Sequence, residues 1–382
     1  MKHQQMLAVA AVLFQLPSLA EATNPVVSNI SAAQRAGTQL VDITYDVTAD
    51  TPTVWVLLTI SSDGGTTFSV PAVTISGAVG SGIATGTGKV ITWNAAADWN
   101  KQYSTKMCFK VTADDQFVNI PAGNFQMGNA MAEDKDIADA PVRTVTVSTF
   151  YMGVNLATCG EWATVRNWGL ANGYTDLSIG AGKAANHPVQ TITWYDVVKW
   201  CNARSEMDGL TPCYTLSGAV YRTTNSDAVV CNWSVNGYRL PTEAEWEKAA
   251  RGGLIGKRFP WGDTISESQA NYLPYNYNSI AIGLGGGPPF TTPGGSYPAN
   301  GYGLYDMAGN VFELCWDWYG AYAAGSQTNP LGASSGTSRV FRGGYWYYNG
   351  SACRVASRTS SGYPIYGGYN GIGFRVARSL LP

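Results

Sequence analysis

Cysteine is the residue type in this chain with the widest range of chemistry, because thiolates can bind copper(I), attack electrophiles or form disulfides. Seven cysteines occur in 382 residues: Cys108, Cys159, Cys201, Cys213, Cys231, Cys315 and Cys353. The two histidines are His3 and His187, so a site built from several histidine ligands is excluded. We expect His187, just before Pro188, to be a packed structural residue.

An odd number of cysteines leaves at least one thiol unpaired, and spacing does not give the connectivity of the others. Cys213 and Cys231 flank an excursion rich in Gly, Ser and Thr, and we expect them to close it with a disulfide. Such a cross-link typically stabilises a chain by about 2–4 kcal/mol. The alternative is a pair of buried thiols.

Residues 1–22 have the features of a secretory signal peptide. Lys2 precedes a mostly apolar run over residues 7–19, and a small-residue cleavage site follows at Ala20 and Ala22. The run is shorter than the ~20 residues that span a bilayer, and no other long apolar segment exists, so no transmembrane segment is expected. We predict an exported protein (periplasmic, cell-surface or secreted), where disulfides can form. The alternative is a buried N-terminal helix.

Charge and composition narrow the class of protein further. The chain has 24 Lys and Arg against 26 Asp and Glu, a net charge of −2, and no basic run, so no nucleic-acid partner is expected. Charged residues make up 13%, beside 44 Gly, 13 Trp and 22 Tyr. This composition indicates a loop-rich, aromatic chain rather than a coiled coil or a disordered tail. The length fits two domains.

Residues 23–115 are typical of a small β-sandwich of the immunoglobulin or fibronectin-III kind. Short β-prone runs over 54–60, 70–75, 89–93 and 105–111 are separated by turn signals and Gly-rich stretches. Nothing in this domain suggests catalysis, and Cys108 has no partner cysteine within it.

Residues 116–382 follow a different pattern. Three capping boxes precede short apolar helical segments, with Thr158, Thr193 and Thr242 as the capping residues. Each cap is typically worth ~1 kcal/mol. The remaining sequence is irregular, so we predict an α+β domain with a large share of loop, whose backbone groups must find partners.

A series of ordered motifs in this second region resembles the formylglycine-generating enzyme family, also called the sulfatase-modifying-factor family. The motifs lie at residues 117–128, 187–189, 193–196, 238–247, 260–262, 300–311, 342–344 and 373–375. The resemblance implies an elaborated, loop-rich C-type-lectin-like fold, here preceded by the small all-β sandwich.

The resemblance also implies a chemistry, which the residues do not support. Formylglycine-generating enzymes oxidise a sulfatase cysteine with two cysteines that hold copper(I). The matching interval here contains only Cys353, beside Arg354, where the enzymes place neither catalytic sulfur. One thiol cannot form a two-sulfur site, so we expect no copper and no catalytic residue, and a structural Cys353 with Cys315 or Cys201 as alternative partners. A family branch that uses iron on three histidines is excluded because His187 stands alone.

The family's calcium motif is better preserved. The resemblance assigns its ligands to Asp306, Gly309, Val311 and Glu313, two carboxylates and two backbone carbonyls, which suit a structural calcium ion. The alternative is that both acids cap local turns without metal. A second family site would begin at Asn271, but the acidic residue expected after it is missing, so we do not expect an ion there.

Residues 345–371 have an unusual composition. They contain six of the 22 Tyr and no Asp, Glu or Lys, which is typical of a binding surface made from Tyr and small adaptable residues. The composition also resembles the variable regions of diversity-generating retroelement proteins, which often use a scaffold of this family. The predicted ligand-contacting residues are Tyr345, Tyr347, Tyr348, Asn349, Ser351, Thr359, Ser360, Ser361, Tyr363, Ile365, Tyr366, Tyr369 and Asn370.

We therefore predict an exported, non-catalytic binding protein with a diversified Tyr-rich face for an unknown protein or glycan. Trp346 is expected to be core or half-buried beneath that face. The alternatives are a formylglycine-generating oxidase that acts on a sulfatase cysteine, and a merely Tyr/Gly-rich loop on an ordinary family member.

Overall fold

Two antiparallel sheets between residues 26 and 114 face each other across an apolar core. The computed structural model describes residues 25–49, 53–100, 102–114, 116–273, 291–360 and 370–379. The strands of this first unit are β1 (Val26–Gln34), β2 (Leu40–Thr48), β3 (Thr53–Ser61), β4 (Ile75–Gly77), β5 (Gly80–Ala84), β6 (Gly86–Asn94) and β7 (Cys108–Asp114), with a short helix α1 (Ala95–Asp98) after β6. One sheet has the order β1-β2-β6-β4 and the other β5-β3-β7.

Alternating burial along the strands explains the sandwich. In β2, Ile43, Tyr45 and Val47 are buried and Thr44 is exposed, so one face of the strand is apolar. Val54, Val56, Leu58 and Ile60 of β3, Ile91 and Trp93 of β6, and Val111 of β7 belong to the same core cluster. Contributions from both sheets to one core are what a β-sandwich requires.

Three longer helices organise the second unit. They are α2 (Cys159–Ala171), α3 (Trp194–Met207) and α4 (Glu243–Arg251). Each begins with the predicted capping box, in which the Thr side chain accepts the N–H of an acidic residue three positions on, and that acid accepts the Thr N–H. The three helix starts predicted from the sequence are thus confirmed.

The strands of the second unit are short. They are β8 (Phe117–Ile120), β9 (Gly123–Met127), β10 (Arg143–Val147), β11 (Phe150–Gly153), β12 (Tyr214–Leu216), β13 (Ala219–Val220), β14 (Val230–Cys231), β15 (Tyr238–Arg239), β16 (Phe312–Trp318), β17 (Gln327–Thr328), β18 (Arg339–Arg342), β19 (Thr359–Ser360), β20 (Ile372–Gly373) and β21 (Ala377–Ser379). Their sheets have the orders β15-β21-β11-β8, β17-β10-β9, β13-β12-β14 and β19-β18-β16-β20. The result is the mixed, loop-rich α+β architecture that the sequence predicts.

The core between α2 and α3 is strongly aromatic. The rings of Trp162 and Trp200 stack with centroids 5.7 Å apart and an interplanar angle of 1°. Phe374 meets Trp200 edge-on, with centroids 5.3 Å apart. The Trp200 indole N–H also donates to the Trp162 carbonyl oxygen at 3.2 Å. Phe374 lies just after β20, so this packing fixes the chain next to the end of the Tyr-rich segment.

Helix α4 is buried on every side despite its charges. Glu243 accepts two hydrogen bonds from Arg358, Glu245 accepts two from Arg239, and Glu247 pairs with both Arg251 and Arg342. Buried carboxylates are tolerated because each has a guanidinium partner with matching geometry. The helix therefore anchors β18 and the Tyr-rich segment through ion pairs.

Candidate ligand-binding surface

One sheet positions the Tyr-rich segment at both ends. Strands β18 and β19 pair antiparallel, with Phe341 opposite Thr359, and β20 pairs parallel with β16, with Ile372 opposite Phe312. Residues 343–358 connect β18 to β19, and residues 361–371 connect β19 to β20. The described part of the segment is thus held at both ends by a single sheet.

The first loop presents an aromatic cluster. Tyr345 contacts Phe312 and Tyr348, with ring centroids 5.2 and 4.9 Å apart. Tyr347 packs on Trp346 at 5.4 Å. Tyr347 and Tyr348 are 59% and 49% exposed, whereas Trp346 is only 5% exposed. Trp346 is therefore core beneath exposed tyrosines, one of the two positions expected for it.

Asn349 and Ser351 continue the exposed surface. Asn349 caps a short 3-10 helix (Gly350–Cys353), and its Oδ1 accepts the Ser351 N–H at 3.2 Å. The Tyr348 carbonyl oxygen accepts the Leu273 N–H at 2.9 Å. These bonds hold the backbone of the loop, in part through the Asn349 side chain, while the Tyr347 and Tyr348 rings stay exposed.

The other predicted contact residues divide into two groups. Thr359 and Ser360 are half-buried in β19, and Asn370 is exposed, with its Oδ1 3.1 Å from the Thr191 hydroxyl oxygen that donates to it. Asn370 precedes Gly371, which lies against Tyr345. The remaining predictions lie outside the described residues: Ser361, Tyr363, Ile365, Tyr366 and Tyr369.

Beneath the surface, the polar scaffold of the segment is buried. Arg354 donates to the Ser351 carbonyl oxygen at 2.8 Å and pairs with Asp136. Arg358 donates to both carboxylate oxygens of Glu243, at 2.7 and 2.9 Å. Arg354 and Arg358 thus fix the loop to the rest of the domain.

Cys353 is fully buried below the loop. Burial raises the pKa of its thiol to about 12, which disfavours the thiolate that would bind a metal or act as a nucleophile. Within the described residues Cys353, Cys315 and Cys201 are all free thiols. The pairing of Cys353 with either partner is therefore wrong for this structure, whereas its burial fits a structural role.

Cys213 and Cys231 are also free thiols, so the structure does not contain the disulfide that we expected between them. The two residues are nevertheless neighbours. Tyr214 lies opposite Cys231 in the β12–β14 pair, and the Asn232 N–H donates to the Cys213 carbonyl oxygen at 2.8 Å. A hydrogen bond from the Cys231 thiol lowers the pKa of Cys213. The sulfurs thus interact without being bonded.

The predicted calcium ligands lie around the start of β16. Asp306 is 6% exposed and accepts the Gly295 N–H at 3.1 Å, and burial raises the pKa of its carboxyl to about 6. Glu313 is already neutralised by Arg375, whose two nitrogens donate to it at 2.6 and 2.9 Å. A cation would therefore find an uncompensated buried charge at Asp306 but not at Glu313, so the residues fit calcium only in part.

No larger cluster of ligands supplements these two acids. Among the described residues, no three histidine, cysteine or carboxylate side chains converge as a metal site requires. In the same part of the chain, no helix is long and apolar enough to cross a membrane.

A cavity of about 260 Å³ lies directly beside the tyrosines. Its lining includes Tyr348, Asn349 and Ser351 of the predicted surface. The lining also includes Asp136 and Asp139, which sequence reasoning did not include. They lie more than 200 positions earlier in the chain, and the run of acids over residues 133–139 was the only signal that could have drawn attention to them.

Comparison with known proteins agrees with this architecture. Residues 103–380 match the sulfatase-modifying factor enzyme 1-like domain. The formylglycine-generating enzyme of Mus musculus is 33% identical over 286 residues, which cover 70% of this chain and 76% of that protein. The chaperone protein LppX of Paenibacillus barcinonensis is 30% identical over 286 residues, which cover 70% of this chain and 91% of that protein.

Among solved structures, Treponema denticola variable protein 1 superposes with a TM-score of 0.55 and 28% identity, covering 73% of this chain and 99% of that protein. The family resemblance and the fold class predicted from the sequence are thus confirmed. These relatives carry the names of an enzyme, a chaperone and a variable protein. Family membership therefore leaves the function open, while the chain itself belongs to the formylglycine-generating enzyme, or sulfatase-modifying factor, family.

Proposed function

We propose that this protein is an exported, non-catalytic binding protein whose Tyr-rich loops recognise a ligand. Residues 1–22 would direct export, residues 23–115 would form a spacer or anchor, and residues 116–382 would display the binding surface. The relationship to a variable protein supports a display role, and the surface itself supplies the physical argument.

The observation that carries the proposal is the exposure of Tyr347 and Tyr348 over a buried Trp346. Soluble proteins normally have a reason to present neighbouring large aromatic rings to water. Tyrosine offers a large amphipathic contact area and loses little side-chain entropy on binding. Exposed tyrosines on a packed base are therefore well suited to bind a ligand, because few side chains or loops would have to lose conformational entropy on binding.

The loops also suit diversification. Tyr347, Tyr348, Asn349 and Ser351 are exposed residues outside the core, so other residue types at these positions would leave the core intact. Arg354 and Arg358, in the same segment, hold the scaffold from below. We propose that the exposed positions vary in the manner of retroelement variable proteins. A nearby reverse-transcriptase gene and an Asn-rich near-copy of the segment are expected in the DNA, and their absence would count against diversification.

The binding experiment screens the protein against a displayed library of random peptides and a glycan array. Replacement of Tyr347 and Tyr348 by Ala should abolish binding to the selected ligands without changing the melting temperature. Tyr103→Ala is the matched control, since Tyr103 is 86% exposed and lies in the sandwich. If the double variant binds as the wild type does, or unfolds, the tyrosines are not a binding surface. The predicted effect of Tyr366→Ala concerns a residue outside the described part.

Membership of the family favours one alternative, oxidation of a sulfatase cysteine. The alternative requires copper-dependent oxygen consumption with a cysteine-containing sulfatase peptide, abolished by Cys353→Ser. We expect no such consumption, because Cys353 is fully buried and burial raises the pKa of its thiol to about 12. Oxygen uptake that depends on Cys353 would replace the binding proposal.

A further inference from the structure

The cavity beside Tyr348 contains charged residues of both signs. It is lined by two basic residues, Arg354 and Arg358, and by two acidic ones, Asp136 and Asp139. Which of these charges is available to a ligand depends on the partners that each already has and on its exposure.

Both arginines already bond to other groups of the protein. Arg354 bonds to Ser351 and Asp136 through all three of its side-chain nitrogens and is 7% exposed. All three nitrogens of Arg358 are likewise bonded, two of them to Glu243 and the third to the carbonyl oxygens of Asp139 and Gly320. Most of the N–H donors of each guanidinium therefore already bond to the protein, and Arg358 also holds the backbone of Asp139 in place.

The acidic residues are the exposed charges of the cavity lining. The side chain of Asp136 is 62% exposed, and Asp139 is also exposed. Asp139 accepts a hydrogen bond of 2.5 Å from the Tyr319 hydroxyl, and within the described residues no cation lies at ion-pair distance from its carboxylate. Lys135 belongs to the same loop but does not line the cavity. The charge offered to a ligand here is negative.

Tyr348 adds an aromatic side chain to the same lining, with Asn349 and Ser351 next to it in the chain. An aromatic face attracts a cation, and a carboxylate in the same cavity lining can pair with the same cation. A neutral sugar would leave the Asp139 charge without a counterion. A long basic side chain fits both the apolar wall and the charge, because its stem is apolar and its head is cationic.

We propose that this cavity receives an Arg or Lys side chain of a protein partner that covers Tyr347 and Tyr348. The inference rests on the proposed binding function and specifies the partner's chemistry. Arginine and tyrosine are the residues that most often dominate the energetics of protein interfaces, especially when they fill a pocket. The cavity would thus be the specificity pocket of the surface.

The probe is the displayed library of random peptides, selected on the wild-type protein. Clones that lose binding to the Tyr347→Ala/Tyr348→Ala variant identify peptides bound at the tyrosines, and these clones should carry Arg or Lys at a shared position. A synthetic peptide with that residue should bind about tenfold more tightly than its citrulline or Gln counterpart, as expected for a charge-assisted hydrogen bond.

The protein side is tested with Asp139→Asn, which keeps an acceptor for Tyr319. This substitution should weaken binding of the basic peptide by about the same factor and leave binding of the neutral peptide unchanged. Asp42→Asn is the matched control, since Asp42 is a surface carboxylate of the sandwich that pairs with Arg35. The citrulline comparison needs no change in the protein, so it remains decisive if Asp139→Asn does not fold.

Each outcome has a separate meaning. Tyr-dependent clones without basic residues, or equal binding of the basic and neutral peptides, would overturn the pocket and leave the binding function standing. Glycans that bind through the tyrosines, with no Tyr-dependent peptide, would overturn the protein partner. Selected ligands whose binding does not depend on Tyr347 and Tyr348 would overturn both proposals.

Discussion

Arg358 and Glu243 are joined by two parallel hydrogen bonds, of 2.7 and 2.9 Å, which connect the Tyr-rich segment to the first residue of α4. Both side chains are almost completely buried, at 2% and 3% exposure. Because α4 also pairs with Arg342 of β18, the loop and the sheet that carries it share one rigid support. An exposed loop needs such a base, since its solvent-exposed residues contribute little to folding.

Replacing Arg358 by Ala should therefore destabilise the protein strongly. The substitution leaves Glu243 buried without its bidentate partner, and removal of one member of a buried pair typically costs about 3–5 kcal/mol. Urea denaturation measures the change in the free energy of unfolding. Arg35→Ala is the control, because the Arg35–Asp42 pair lies on the surface and should matter little. Equal effects of the two substitutions would show that the buried pair is not a support.

Gly371→Ala should be destabilising because Gly371, just before β20, lies against the Tyr345 ring. Its φ of +92° disfavours a side chain, and an added Cβ would lie 2.1 Å from the Tyr345 ring. Strain of this kind typically costs about 1–3 kcal/mol. Chemical denaturation of Gly371→Ala, Tyr345→Ala and the double variant gives the coupling. We expect the double variant to lose less than the sum of the two single losses, and strict additivity would show that the two residues do not meet.

The sequence predicts the scaffold better than it predicts the site. The capping boxes at Thr158, Thr193 and Thr242 depend on local hydrogen bonds, which is why spacing alone located the helices. The exposed tyrosines were found from composition, which is also local. The cavity wall at Asp136 and Asp139 was missed because it comes from a distant loop that Arg354 and Arg358 bring to the tyrosines. Contacts of this kind, between segments far apart in the chain, leave no signature in residue spacing.

Stability should fall as the pH rises from about 4 to about 8, in part because of Asp317. Burial, and then repulsion from Glu243, raises the pKa of Asp317 to about 8, above the ordinary value near 4. The folded chain therefore holds this proton more tightly than the unfolded chain does, so the stabilisation is largest at low pH and is lost as the pH rises.

Asp317→Asn tests this pH dependence because it keeps an acceptor for the Glu243 N–H, which now donates to Asp317 at 2.8 Å. The free energy of unfolding of the variant, relative to that of the wild type, should increase as the pH rises from about 4 to about 8. The surface variant Asp42→Asn should show no such trend. A constant difference across this range would mean that Asp317 is ionised in the folded protein at every pH.

Calcium should raise the melting temperature if the predicted site is real. An ion bound near Asp306 would compensate a buried charge, and a ligand at a hundred times its Kd stabilises a protein by about 2.7 kcal/mol. Thermal melts with excess calcium and with a chelator measure the shift, and Asp306→Asn should remove it. Glu267→Gln is a control at an exposed acid. Identical melting temperatures with and without the chelator would remove calcium from the account of this fold.

The contact between Cys213 and Cys231 leads to the last prediction, that the exported protein forms this disulfide. A hydrogen bond from Cys231 lowers the pKa of Cys213, and two neighbouring thiols of which one has a lowered pKa are suited to oxidation in an oxidising compartment. The cross-link would close the excursion between β12 and β14 and stabilise the fold by about 2–4 kcal/mol. Alkylation of the unfolded protein followed by mass spectrometry should find both cysteines protected until a reductant is added.

Cys315→Ser and Cys353→Ser serve as controls for this disulfide, because both residues are buried free thiols whose replacement should leave the protection unchanged. Cys213→Ser should release Cys231 for alkylation and abolish the effect of the reductant on the free energy of unfolding. If protein purified from the exported fraction has both thiols open to alkylation, Cys213 and Cys231 are a buried thiol pair. The excursion would then be held by the short pairing of β12 with its two neighbouring strands and by non-covalent bonds such as the Arg222–Glu206 ion pair.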